Sequence, residues 1–147
     1  MPQEAQRAFF VLRAFNAELA SVKEIHHARP GGETGSASKS VALQLRLQWW
    51  NDAIKQIYGE DTKKLQKDPS LASLSISCWE SPIVRALYKV NQEKQFTRRF
   101  LERLVEARET DLDVDQFATF DEAKNYAEQS VSSLLYLTLE SLGVSGR

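Results

Sequence analysis

Apolar residues at Ala5, Phe9, Leu12, Phe15, Leu19 and Val22 recur in steps of three and four. That spacing predicts a helix from about Pro2 to Ala28 with one buried stripe. Arg29-Pro-Gly-Gly32 ends it, and the Gly/Ser stretch to Ser40 reads as a loop. The next segment fits two periods. Val41, Leu43, Leu45, Leu47 and Trp49 alternate as in a strand, while Leu43, Leu47, Trp50, Ile54 and Ile57 fall on one helical face. The apolar pattern runs on to Tyr58, too long for an ordinary strand, and β-branched residues are rare in it. A helix stopped by Gly59 is therefore expected.

Asp61–Asp68 is charged and reads as solvent-facing, Asp68-Pro69 could open a short helical turn, and the Ser/Leu alternation from Ser70 to Ser77 favours neither helix nor strand. Ser81-Pro82 is a helix start, a capping residue followed by proline at the first helical position. Ile83, Leu87 and Val90 mark that helix, and Phe96, Phe100, Leu104 and Ala107 mark another after a brief break. Thr119-Phe-Asp-Glu122 has the form of a capping box. The helix it opens carries Ala123, Ala127, Val131, Leu134, Leu135, Thr138 and Leu142, with Gly143 as its stop. Between Val131 and Leu142 it is apolar nearly all round, so both sides need partners and a central position is expected. Were a few hundred Å² of that surface left open, several kcal/mol would be forgone at roughly 25 cal/mol per Å², which is comparable to a domain's whole stability. A chain ending at Arg147 is thus expected to be marginal alone, or to be completed by a partner.

At 147 residues and a net charge of −1, the chain has the size of one domain and no strongly basic balance to suggest nucleic acid. One cysteine, Cys78, excludes an intramolecular disulfide framework and reads as a small buried hydrophobe. No apolar run approaches the roughly 20 residues that span a bilayer. The N-terminus lacks a signal-peptide pattern, and Glu4 and Glu18 argue against a mitochondrial presequence.

Few constellations carry chemistry. Asp111, Asp113, Asp115 and Glu122 stand at the first, third, fifth and twelfth positions of an EF-hand spacing, but Gln116 replaces the turn glycine and the capping box also claims Glu122. A solvated acidic linker is the preferred reading over Ca²⁺ binding. His26 and His27 are adjacent, so their rings diverge on a helix and a zinc site is not expected. Ser130, Ser132 and Ser133 lack a nucleophile elbow. Trp49, Trp50 and Tyr58 could line a pocket, with core the expected place for Trp50. Arg98, Arg99 and Arg103, interspersed with Glu102, Glu106 and Glu109, read as a salt-bridged face, with docking to an anionic membrane as the alternative.

Three segments carry a resemblance: Phe10-Val-Leu-Arg-Ala-Phe-Asn-Ala-Glu-Leu-Ala20; Leu47-Gln-Trp-Trp-Asn-Asp-Ala-Ile-Lys-Gln-Ile-Tyr58; and Arg108-Glu-Thr-Asp-Leu112 through Tyr126-Ala-Glu-Gln to Ser132-Ser-Leu-Leu-Tyr-Leu-Thr-Leu-Glu140. In these the chain resembles the squalene/phytoene synthase family, and within it the branch that assists assembly of mitochondrial respiratory complex I. The likeness covers about the N-terminal half of the family domain. It implies an all-α fold, a truncated antiparallel helical isoprenoid-synthase-like domain over 1–147, with loops at about 30–40 and 60–81. Gly31–Ser38 and Leu65–Trp79 read as insertions relative to the family pattern.

In the family's diphosphate-binding helix, carboxylates hold Mg²⁺. The matching frame here is Arg13, Asn16, Ala17 and Ala20. Two acids at i and i+4 could share a metal; Asn16 and Ala20 cannot. Where synthases keep small glycines beside a prenyl chain, this sequence has Ser132 and Leu135, which implies a narrower cavity. The resemblance therefore implies a non-catalytic protein with no cofactor or metal, acting at the matrix side of the mitochondrial inner membrane on complex I assembly intermediates or subunits. Arg13, Asn16, Ala17, Ala20, Tyr126, Ser132 and Leu135 form its vestigial pocket or partner surface. On this reading the targeting segment is missing. Prenyltransferase activity and a generic helical interaction module remain the alternatives.

Overall fold

A computed structural model describes residues 1–27, 36–60, 77–112, 114 and 116–144, with the side chains of 25–27 and 36–40 left aside. The longer elements among them are α1 (Gln3–His27), α2 (Ser36–Ile57), α3 (Pro82–Lys94), α4 (Arg98–Leu112), α5 (Phe120–Ala127), a π turn (Glu128–Ser132) and α6 (Ser133–Ser141); residues 77–80, inside the loop expected at about 60–81, are helical as well. No strand occurs among the described residues.

The stripe on α1 is buried as its spacing requires: Ala5, Ala8, Leu12, Phe15, Leu19 and Val22 all lie in the core. The ambiguous second segment is a helix. Leu47, Trp50, Ala53, Ile54 and Ile57 face inward, whereas Val41 and Leu45, which the alternating reading would have buried, are exposed. Gly59 ends the helix with a φ of 74°, a left-handed conformation that costs glycine nothing. Residues 36–40, expected to belong to a loop, are helical, and 28–35 lie outside the described residues. Helix α2 is already formed at Ser36, because Ala37, Ala42 and Leu43 extend a run that holds no breaker after Gly35. Residues 61–76 lie outside the described part, and the expectations for Asp61–Asp68, Asp68-Pro69 and most of the Ser/Leu alternation lie there with them.

Ser81 caps α3 as read: its Oγ accepts from the Val84 amide at 3.5 Å, and Pro82 stands at the first turn. Val84, Leu87 and Val90 fill the core while Ile83 packs at its edge. Gln95 takes a left-handed φ of 53° and turns the chain within three residues into α4, whose buried side is Leu101, Leu104, Val105 and Ala107. Phe96 is buried in the turn itself, and Phe100 packs only at the core's edge.

Helix α1, rather than the last helix, is central. It packs on α2, α3, α4 and α6, while α4 also packs on α2 and α6. The expectation that the doubly apolar last helix would take the centre fails because it buries one side only. A π turn at Glu128–Ser132 interrupts the run 119–143. Val131, Leu135 and Leu142 are exposed, as is Ala127 before the turn, while Ser130, Ser133, Leu134, Leu137 and Ser141 are buried. The buried hydroxyls are satisfied by their own helix: Ser130 Oγ donates to the Tyr126 carbonyl at 2.7 Å, Ser133 Oγ to that of Glu128 at 3.3 Å and Ser141 Oγ to that of Thr138 at 2.6 Å. Small, internally satisfied side chains let α6 lie close against α1 and α4. Gly143 stops the helix at a φ of 86°.

Candidate functional site

The residues on α1 that the sequence resemblance assigns to a diphosphate-binding frame lie away from its buried stripe. Arg13 and Ala17 are exposed, and Asn16 and Ala20 are half-buried. Exposed Phe10 shares that outer side, and the Arg13 guanidinium rests 5.0 Å from the centre of the Phe9 ring. This is a long helical face with one cation and small or apolar side chains where a metal-bound diphosphate would need acids. Among the described residues no group of three His, Cys, Asp or Glu side chains converges as a metal would require. The nearest acid in sequence, Glu18, is turned toward Arg46 of α2 at 3.5 Å.

Helix α6 packs directly on α1, and Leu135 on it is exposed to solvent. Ser132, half-buried in the π turn, hydrogen-bonds the Glu128 carboxylate. That bond, with a second from Tyr136 Oη at 3.0 Å, holds the Glu128 carboxyl below its ordinary range. Tyr126 belongs to another neighbourhood. Its hydroxyl accepts from Arg108 Nη1 at 3.1 Å and its ring lies 5.2 Å from that of Phe117, so it ties α5 to the end of α4. The seven sequence-derived positions thus divide between a face on α1, an outward edge on the π turn and α6, and a clamp at Tyr126.

The other candidates resolve into structure. Trp50 is in the core, edge-on to Phe15 at 5.2 Å. The Tyr58 hydroxyl donates to the Phe96 carbonyl at 2.6 Å and lies 3.3 Å from Asn91 Oδ1, which itself accepts from the Phe96 amide. Burial raises the Tyr58 pKa well above its ordinary value; the charge of Glu140 adds to this and that of Arg98 opposes it. Arg98 pairs with Glu60 at 2.8 Å and Glu102 at 2.7 Å, and Arg99 with Glu106 at 2.6 Å, so the expected salt-bridged face is present. Glu109 instead accepts from Asn51 Nδ2 at 2.9 Å.

In the acidic linker, Asp113 and Asp115 lie outside the described residues, as do the side chains of His26 and His27. The two remaining acids are engaged. Lys23 Nζ donates to the Asp111 carbonyl at 2.9 Å and sits 3.7 Å from its carboxylate. Thr119 Oγ1 accepts from the Glu122 amide at 3.2 Å, and Glu122 reaches back to the Ala118 amide at 3.0 Å, one residue ahead of the usual capping-box partner. An ammonium bound at the mouth of this loop opposes a divalent cation there.

Sequence reasoning missed the junction at Thr97. Its amide and hydroxyl both donate to Glu140 of α6, capping the start of α4 from a distance of 43 residues. No local pattern signals such a pairing.

The family model described as squalene/phytoene synthase matches residues 1–147. The chain belongs to the squalene/phytoene synthase family. It is similar to mouse "NADH dehydrogenase (ubiquinone) complex I, assembly factor 6", 34% identical over 143 residues that cover 97% of this chain and 35% of the relative. The human protein of the same name is 33% identical over 144 residues, covering 98% and 35%. A homolog from Dictyostelium discoideum is 31% identical over 142 residues, covering 97% and 32%. This member of the family thus spans about a third of the length of the relatives it matches. No solved structure matches it.

Proposed function

We propose that this chain acts in the assembly of respiratory complex I as a non-catalytic binding scaffold, located in mitochondria at the matrix side of the inner membrane. What supports the reading is the α1 face: on the resemblance to the synthases' diphosphate-binding helix, Asn16, Ala17 and Ala20 take positions whose carboxylates would hold Mg²⁺ against a diphosphate. The names of the relatives, which match 97–98% of the chain, supply the process. The chain's own residues would then bind rather than react. Exposed Arg13 and Ala17, with half-buried Asn16 and Ala20, offer a small-residue surface that an assembly intermediate or subunit can approach closely. Peripheral association with the inner membrane is part of the proposal; no helix among the described residues is long and apolar enough to cross a membrane.

The test is capture of complex I subunits from mitochondrial extracts on the purified chain. Ala17→Glu and Ala20→Glu are expected to abolish capture while circular dichroism stays unchanged, since neither side chain is in the core. Unaltered capture by both variants rules out this surface. The family name keeps one rival in view, prenyltransferase activity. Incubation with labelled farnesyl or geranylgeranyl diphosphate and Mg²⁺ is expected to leave the diphosphate intact, and a condensed product would overturn the non-catalytic reading.

A further inference from the structure

We draw no further inference here: the strongest candidate, the open groove between α2 and α4 lined by Val41, Gln44, Leu45, Gln48 and Glu109, carries none, because its one charged lining residue, Glu109, already accepts a hydrogen bond from Asn51 and nothing in the structure shows what covers it.

Discussion

At the scale of single residues, two buried protons govern behaviour in base. Burial, with a smaller contribution from the charge of Asp52, pushes the Cys78 thiol from 9.0 up to about 11. Between those values the unfolded chain releases the proton while the native chain keeps it. The contribution is therefore whole below pH 9 and is lost as pH climbs toward 11. In urea titrations at pH 8, 9.5 and 11, Cys78→Ala should lose less stability over this interval than the parent chain; identical slopes would refute the assignment. Tyr58 acts in the same direction at higher pH, since its ionisation is also suppressed in the native state. Its neutral hydroxyl holds the Phe96 carbonyl at the left-handed turn after Gln95. Tyr58→Phe is expected to cost about 1–2 kcal/mol at neutral pH, the usual price of orphaning one part-buried acceptor. Denaturant midpoints would measure it, and a loss under about 0.3 kcal/mol would show the bond to be dispensable. The sequence disclosed Tyr58 as the end of an aromatic helix but not its partner, because Phe96 lies 38 positions away.

At the scale of elements, what could be read depended on how local the signal was. The stripe Leu12, Phe15, Leu19, the cap at Ser81-Pro82, the box at Thr119 and the stops at Gly59 and Gly143 each act within a few residues, and each was legible. Thr119→Ala should remove about 1 kcal/mol from the chain's stability by freeing the Glu122 amide. Calorimetry with millimolar Ca²⁺ should give no heat, because Lys23 and the capping bonds already occupy Asp111 and Glu122; a saturable heat would restore the EF-hand reading. The buried face of the last helix was not legible. Ala127, Val131 and Leu135 do fall on one side at steps of four, but that side is exposed, and Ser130, Ser133, Leu137 and Ser141 take the core instead. Hydroxyls satisfied by nearby carbonyls of the same run can be buried, which an apolar pattern does not announce. The candidate site fared likewise. The four positions on α1 were placed together by simple helical spacing, whereas the separation of Tyr126 from Leu135 follows from the bond that Arg108 donates to Tyr126.

At the scale of the whole molecule, four helices gathered on α1 make a core from Ala8 to Leu137, and one side of the last helix remains uncovered. With these leucines exposed, the expected outcome for the isolated chain is a broad, low-temperature melt. A sharp transition at high temperature without any addition would show the uncovered leucines to be of little consequence.

The bond between Thr97 and Glu140 also sets a schedule. A ribosome releases the start of α4 long before it reaches the carboxylate that caps it. Until the last helix emerges, the Thr97 amide waits unanswered, so nascent chains arrested before residue 140 should be more open to proteases around the α3–α4 junction than chains released after the last helix is complete.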